Sequence, residues 1–311
     1  MSSRVHSNHV LGREQHVYSF DAAAREVLSV TPGDVLEVET WDCYTGQVQS
    51  ERDTHESIDN GLINPATGPI AVHGAEPGDS LSVTLLDIRP HEQGAAMCIP
   101  EWGQLGPGVQ STTRIFHVRD GVVTMNGRVS FPVRPMLGVI GVAPASGVIS
   151  TLAAGRHGGN LDDAANGIGA TIHLPVFQSG AMLSIGDMHA SMGDGEISGT
   201  GVEIGGTTQL RVELIKGRQA TWPVTETATH FITHGTAEGN LTDALKSACE
   251  EAARLLVDEW DFSAEDAFMF LSVAGDLGIA QSCHPCPGTV IAKMSVPKIG
   301  ACPRPFRALS V

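Results

Sequence analysis

The chain has 311 residues, of which 41% are apolar and 17% charged, with 36 glycines and 17 prolines. This composition predicts a turn-rich, mainly β globular protein and excludes a disordered chain. The 19 Lys and Arg against 35 Asp and Glu leave a formal net charge of −16, which argues against nucleic-acid binding and attraction to anionic membranes. No signal-peptide core is recognisable, and the longest apolar stretch, residues 135–149, is too broken by glycine and proline to span a membrane. We therefore expect a cytoplasmic protein with reduced cysteines.

Strand-like segments dominate the first three quarters of the chain. Residues 34–42 and 79–88 alternate apolar and polar side chains, and each segment follows a Pro-Gly turn. Further short strands are predicted in residues 113–125, with Asp120 and Gly121 as a hairpin turn, and in three later segments, 136–144, 169–177 and 207–217. The spacing is typical of a β-sandwich or barrel.

The pattern changes after about residue 235. Residues 240–260 place apolar side chains at helical spacing, with Thr242 as the predicted N-cap, and a second helix is predicted from Ser263. Because no linker separates the two parts, we predict a single domain over residues 1–311. Its fold class is mainly β, a β-sandwich-like body (about 1–235) with additional helices in the C-terminal part (about 236–311), that is, α+β.

The segment GDMHASMGDGE, residues 186–196, concentrates acidic residues and a histidine among glycines. The glycines disfavour a helix and predict a loop between strands. Asp187 and His189 stand two residues apart, so in an extended segment both could reach one metal ion, and Asp194 and Glu196 repeat that spacing. Oxygen and imidazole ligands suit zinc or a similar divalent cation. The alternative is an acidic surface loop.

A second segment, GRHGGNLDD, groups His157, Asn160 and Asp162 around Gly158 and Gly159. Paired glycines allow a close approach of the backbone to a ligand, so their amides could bind an oxyanion while His157 carries a proton or binds a metal. The alternative is a turn in which Asn and Asp bond their own backbone.

Cysteines supply two weaker candidates. Cys43 could be a nucleophile beside Asp42, although a buried structural residue is the simpler interpretation. Cys283 and Cys286 form a C-x-x-C pair that is similar to the redox motif of thioredoxin-like enzymes, but it lies after a helix near the carboxyl end rather than in an early βαβ unit.

Five segments taken together resemble the acetamidase/formamidase family. They are WDCYTGQV, NPATGPIAVHGAEPGDSLSV, GVIGVAPA, RHGGNLD and GDMHASMGDGEISGTGVE. The resemblance runs from about residue 8 to about residue 300. It implies hydrolysis of small aliphatic amides to a carboxylate and ammonia, a β-sandwich-centred fold, a cytoplasmic homo-oligomer and a divalent metal ion. Departures at His73, in residues 100–108 and in the segment QSCHPCPGTV place the identity of the amide in question.

On this basis we assign roles to the candidate residues. Zinc, or alternatively calcium, is held by Asp187 and His189 with Asp42 or His157. Glu196 takes a proton from the activated water, and His157 and Asp194 are further candidate proton carriers. The remaining candidates, Gly158, Gly159 and Asn160, bind the substrate or the oxyanion. Two alternatives stay open: a cysteine-dependent amidase using Cys43, and a non-catalytic member that binds a metal or ligand.

Overall fold

The computed structural model describes residues 8–283 and 290–300 of the chain. Strands alternate with loops until residue 241, where the first of two α-helices begins. These helices are α1 (Leu241–Trp260) and α2 (Ala264–Ala274). The strands within the described residues are, in chain order, β1 (Asn8–Leu11), β2 (His16–Val17), β3 (Ser19–Asp21), β4 (Leu28–Val30), β5 (Val35–Thr40), β6 (Ala66–Val72), β7 (Ser80–Pro90), β8 (Gln93–Cys98), β9 (Thr112–Arg119), β10 (Val122–Met125), β11 (Val129–Pro132), β12 (Met136–Gly141), β13 (Val148–Ser150), β14 (Ala154–Gly155), β15 (Gly158–Asn160), β16 (Thr171–Pro175), β17 (Leu183–His189), β18 (Gly206–Ile215), β19 (Val224–Glu226), β20 (His230–Ala237), β21 (Asp276–Gln281) and β22 (Val290–Pro297).

Two large sheets enclose the main core. In the described part of the chain, one sheet has the order β1-β5-β18-β7-β16-β19-β20-β22-β21, and the other has the order β14-β15-β12-β17-β6-β2, with β4 also paired to β6. A smaller sheet, β11-β10-β9-β8, flanks them. Apolar side chains from both large sheets form one cluster, including Leu36, Val83 and Leu85 from the first sheet and Ile70, Leu137 and Ile185 from the second. This layered arrangement confirms the predicted mainly β fold class.

The predicted strand patterns are confirmed at their best-defined positions. Along β5 the side chains alternate between half-buried and buried, and in β7 both Leu81 and Val83 are fully buried. Asp120 and Gly121 connect β9 to β10 with positive φ angles of 51° and 74°, as a tight hairpin turn requires.

Both predicted helices are present, with one difference in capping. The side chain of Asn240, not Thr242, caps α1 by accepting the backbone N–H groups of Thr242 and Asp243. Ser263 caps α2 as predicted, through Asp266 N. The helices pack on β20 and β22 through a second apolar cluster that contains Phe231 and Trp260.

The strands that follow the helices rejoin the first sheet. β22 pairs along its whole length with β20, and β21 pairs with β22. The carboxyl-terminal part is therefore a helical layer on a shared sheet. No helix in residues 8–283 and 290–300 is long and apolar enough to cross a membrane.

The cysteines do not all follow the expectation of reduced thiols. Cys43, Cys98 and Cys249 are free, whereas Cys283 is disulfide-bonded. Cys286, the second member of the C-x-x-C pair, and Cys302 lie outside the described residues.

Candidate active site

Five ionisable side chains meet inside the protein at the end of β17. Four of them are carboxylates and one is an imidazole, and each residue is at most 6% exposed: Asp162, Asp187, His189, Glu196 and Glu203. We call this set the acidic cluster. Asp162 follows β15, Asp187 and His189 end β17, and Glu196 and Glu203 belong to the loop between β17 and β18.

His189 is at the centre of the cluster. Its Nε2 atom lies 3.1 Å from Oε2 of Glu203, 3.6 Å from Oδ1 of Asp187 and 3.8 Å from Oε1 of Glu196. An isolated antiparallel bridge between His189 and Glu203 brings the loop back beside the strand. The arrangement therefore depends on strand pairing between residues fourteen positions apart in the sequence.

The potential ligand atoms of the site form two compact groups. One group comprises Asp162, His189 and Glu196, and within it the ligand atoms all lie within 4.8 Å of one another. Cys43, Asp187 and Glu203 satisfy the same criterion. Oxygen, nitrogen and sulfur donors at this spacing are a suitable set for a divalent metal ion such as zinc.

Local backbone geometry directs the carboxylates inward. Asp162, Asp187 and Glu196 have φ angles of 39°, 52° and 37°, a left-handed conformation that is uncommon for non-glycine residues. Gly138 makes room for two of them, because a Cβ atom there would lie 2.2 Å from Oδ1 of Asp162 and 2.5 Å from Oδ2 of Asp187.

Side-chain amides hold the outer edge of the cluster. Gln281 donates its Nε2 group to Asp162 Oδ2 and, at 2.8 Å, to Glu196 Oε2. Asn160 Nδ2 also donates to Asp162 Oδ2, at 2.6 Å, and Asn160 Oδ1 accepts a hydrogen bond from Asn64 at 2.9 Å. Asp162 Oδ2 is thereby saturated, and Oδ1 is left facing the cluster.

Several polar atoms of the cluster have no hydrogen-bond partner among the described residues. They are Asp162 Oδ1, Asp187 Oδ1, Glu203 Oε2 and both ring nitrogens of His189. Buried polar atoms are nearly always paired, since an unpaired one costs about 1–3 kcal/mol. Atoms of this kind, converging from four ligand-type residues, fit a bound cation.

The electrostatics of the cluster are governed by burial and by mutual charge. Burial raises the pKa of Glu203 to about 8, and burial also raises the pKa values of Asp162 and Glu196. Burial alone would lower the pKa of His189, but the carboxylates of Glu203 and Asp187 raise it well above its usual range. For Asp187, burial is outweighed by His189, which lowers its pKa. One imidazolium cannot neutralise four ionised carboxylates, so the cluster without a cation retains protons, and an additional positive charge would favour the ionised carboxylates.

Two cavities reach the site from different sides. A small cavity of about 80 Å³ has mostly apolar walls and borders the site at Cys43, Asn160 and Gln281. Its remaining lining residues include Ile58, Ile63, Ile99, Trp102 and Leu152. A more polar cavity of about 430 Å³ meets the cluster at Glu203 and is also lined by Asp42 and His91. Tyr44 lines both cavities.

The structure brings Asp187, His189 and Glu196 together, and the segment that carries them is only partly a loop. Residues 186–189 form the buried end of β17. The repeated spacing of Asp194 and Glu196 does not bring those two together, because positive φ angles at Gly195 and Glu196 (96° and 37°) turn the chain between them. Asp194 instead points outward to Lys293 Nζ, at 2.7 Å, with 57% of its side chain exposed.

The other predicted residues lie around the cluster or apart from it. Asp42 Oδ1 accepts the backbone N–H groups of Tyr44 and Gly46, so it shapes a turn rather than joining the ligand groups. Asn160 borders the apolar cavity as well as Asp162. His157 contacts the ring of Phe20 and lines a separate surface cavity.

Gly158 and Gly159 belong to the buried strand β15. Both have strongly positive φ angles, 89° and 84°, and both pair with β12 on one side and β14 on the other. Close packing explains why glycine occupies these two positions, since a Cβ atom at Gly158 would lie 2.3 Å from the carbonyl oxygen of Ile140. Neither glycine lines the two cavities beside the acidic cluster.

Sequence reasoning missed Glu203 and Gln281, and it grouped Asp162 with His157 and Asn160 without assigning it a role. Glu203 closes the long motif GDMHASMGDGEISGTGVE, and Asp162 follows the Gly-Gly pair, so both stood within the segments that resemble the family. Gln281 begins the segment QSCHPCPGTV, which departs from the family pattern, and it reaches the site through the pairing of Gly195 with Gln281. Of the segments that depart from the family pattern, residues 100–108 supply Trp102 to the apolar cavity and QSCHPCPGTV supplies Gln281 and Cys283, whereas His73 does not line it.

Comparison with known proteins gives consistent matches over most of the chain. The model of the Acetamidase/Formamidase family matches residues 14–154 and 145–298. The crystal structure of an acetamidase from Bacillus halodurans is 39% identical and superimposes with a TM-score of 0.89, covering 93% of this chain and 97% of that one. A predicted acetamidase/formamidase from Thermoanaerobacter tengcongensis is 38% identical, with a TM-score of 0.90 and coverages of 94% and 96%. An acetamidase of Mycolicibacterium smegmatis is 26% identical over 79% of this chain and 82% of its own length.

Proposed function

Because this chain belongs to the acetamidase/formamidase family, we propose that it cleaves small aliphatic amides at the acidic cluster with a water activated by a divalent metal ion. Family membership confirms the predicted class, a hydrolase acting on the carbon–nitrogen bonds of linear amides. The metal and the residue roles are the proposal.

The unpaired ligand atoms are the observation that carries the proposal. Asp162, Asp187, His189 and Glu203 each present at least one buried nitrogen or oxygen without a hydrogen bond to a described residue. We assign these four residues to the metal ion. Zinc is preferred over calcium, since His189 is central to the set and calcium takes oxygen ligands. When bound, the ion would lower the pKa of a water molecule and polarise the amide carbonyl.

Glu196 has the properties of the proton carrier. Its Oε2 atom accepts a hydrogen bond from Gln281, and neither of its oxygens is among the unpaired buried atoms. Burial raises its pKa, which suits a carboxyl that takes a proton from water and returns it to the leaving nitrogen. Gln281 orients this carboxyl, because the same amide group also holds Asp162.

The apolar cavity fits a small, neutral substrate. Its volume is about 80 Å³, and none of the described residues that line it is a Lys or Arg. An aliphatic amide could place its hydrocarbon part against Ile99 and Trp102 with its carboxamide directed toward Asn160 and Gln281. The alternative of a Cys43 nucleophile is disfavoured, because burial and the nearby carboxylates raise the pKa of this thiol, whereas a nucleophilic cysteine needs a depressed pKa.

The test is ammonia release from formamide, acetamide and propionamide. Purified protein would be assayed as isolated, after chelation and after zinc is restored. The Glu196→Gln variant would be assayed in the same way, and Glu250→Gln, which changes an exposed residue of α1, is its control. We expect activity that is lost on chelation, recovered with zinc, absent in Glu196→Gln and normal in Glu250→Gln. Activity that survives complete metal removal would disprove the metal-dependent mechanism and redirect attention to Cys43.

A further inference from the structure

Tyr44 carries a buried hydroxyl group that the fold leaves unpaired. The residue is 5% exposed, and its Oη atom has no hydrogen-bond partner among the described residues. Buried tyrosine hydroxyls usually find a partner, because the ring is apolar and the hydroxyl is costly to desolvate. The ring itself is well packed, within a cluster that includes Val48, Met97 and Ile99.

The position of Tyr44 connects it to the site. It follows Cys43 in the chain and lines both cavities, the apolar one together with Asn160 and Gln281 and the polar one together with Glu203. After burial, the carboxylate of Glu203 is the strongest influence that raises the pKa of Tyr44. Tyr44 therefore lies where the two cavities approach each other, and it shares the polar cavity with Glu203 of the acidic cluster.

The turn that begins at Asp42 holds Tyr44 in place. Asp42 Oδ1 accepts hydrogen bonds from Tyr44 N at 2.8 Å and Gly46 N at 3.1 Å. Gln47 donates both its backbone and its side-chain N–H groups to the carbonyl oxygen of Tyr44, at 3.1 and 2.9 Å. The backbone N–H and carbonyl groups of Tyr44 are thus both paired, so its hydroxyl is the polar group of this residue left for a ligand.

We propose that Tyr44 is a catalytic residue that donates a hydrogen bond to the carbonyl oxygen of the bound amide as this oxygen gains negative charge. The proposal rests on the amide hydrolysis proposed above and adds a specific donor to it. A preorganised donor in a water-poor site stabilises the transition state more than the ground state. The neutral phenol donates without giving up its proton, and the proton for the leaving nitrogen still comes from Glu196.

Tyr44→Phe tests this role because it removes only the hydroxyl. We expect kcat for acetamide to fall about 100- to 1000-fold with KM changed little, as for loss of an oxyanion donor. The melting temperature should stay the same or rise, since the variant removes a buried hydroxyl that has no partner in the free protein. Loss of activity together with a lower melting temperature would instead indicate a structural role.

Tyr18→Phe is the matched control. Tyr18 is half-buried, and its hydroxyl forms a hydrogen bond with Thr45 Oγ1 at 3.2 Å. Removing it should lower the melting temperature slightly and leave kcat unchanged, the opposite pattern to Tyr44→Phe. Wild-type-like kcat in Tyr44→Phe, measured beside an active wild type, would overturn the Tyr44 proposal alone. A wild type that hydrolyses no amide would overturn the proposed function and this inference with it.

Discussion

The Nε2 atom of His189 lies 3.1 Å from Oε2 of Glu203, yet neither atom makes a hydrogen bond to a described residue. Both residues are buried, and an isolated β-bridge joins their backbones. The backbone thus fixes the two side chains beside each other while their polar atoms remain available. This is the geometry expected of metal ligands that are positioned before the ion binds.

Stability of the metal-free protein should depend on pH through Glu203. Burial raises its pKa to about 8 from the ordinary value of 4.5, so the folded state retains a proton that the unfolded state has lost. The free energy of unfolding should therefore fall as the pH rises between about 5 and 8. Urea unfolding of chelated protein across this range measures the slope, and Glu203→Gln should make it shallower.

Added zinc should reverse that slope in the wild type, because the cation favours the ionised carboxylate. The Glu203→Gln variant should gain less stability from zinc. Identical pH slopes for the metal-free wild type and Glu203→Gln would show that Glu203 does not carry the buried charge.

Gly138→Ala should weaken metal binding while leaving the strand able to form. The added Cβ atom would meet Oδ1 of Asp162 at 2.2 Å and Oδ2 of Asp187 at 2.5 Å, so both carboxylates must move away from their ligand positions. Metal content after dialysis and ammonia release should both fall by about tenfold or more, the range known for disturbed ligand support.

Gly193→Ala is the control for this substitution. Gly193 lies in the loop that carries Glu196, and a Cβ atom there would meet nothing within 4 Å. Metal content and activity should match the wild type. If Gly138→Ala also retains its full metal content, Asp162 and Asp187 are not joint ligands.

Ile99→Ala should shift the enzyme toward longer amides. Ile99 is 6% exposed and lines the apolar cavity. Space for extra methylene groups is worth about 1–3 kcal/mol each in discrimination between substrates. The ratio of kcat/KM for butyramide to that for acetamide should therefore rise by about tenfold. In Ile88→Ala, which truncates a buried residue away from the cavity, the ratio should be unchanged, and an unchanged ratio in Ile99→Ala would place the alkyl group elsewhere.

Lys293→Met should destabilise the protein by about 2–3 kcal/mol, since it removes two charge-assisted hydrogen bonds from a largely buried ammonium. Lys293 Nζ lies 2.9 Å from Oδ1 of Asp163, which follows Asp162 in the chain, and 2.7 Å from Oδ1 of Asp194. Although burial alone would raise the pKa of Asp163, its hydrogen bond to His234 and the charges of His234 and Lys293 lower it. Acid should therefore remove this stabilisation as the pH falls below about 4.

Lys246→Met provides the comparison for Lys293→Met. Lys246 forms an exposed pair with Glu250, with 73% of its side chain accessible, and such pairs contribute about 0–1 kcal/mol. Urea unfolding of the three proteins gives both differences. Equal stabilities for the two variants would mean that the buried network is energetically neutral.

Much of the fold could be predicted from local patterns. Period-two alternation in β5 and β7, the Asp120–Gly121 turn and the Ser263 cap each depend on residues a few positions apart, where local geometry decides the outcome. The N-cap of α1 was misplaced by two residues because Asn240 and Thr242 are both good capping residues. Only the tertiary structure distinguishes them.

The candidate site divides in the same way. The sequence alone determined that residues 186–196 carry ligand-type side chains, and Asp187, His189 and Glu196 do meet. Only the tertiary structure decided that Glu203 and Gln281 join them while Asp194 turns to Lys293. The physical reason is that strand pairing and positive φ angles set the direction of each side chain, and neither can be inferred from spacing. The residue types therefore determine which chemistry is available to the site. The pairing of strands that are distant in the sequence determines which of those residues come together in one buried site.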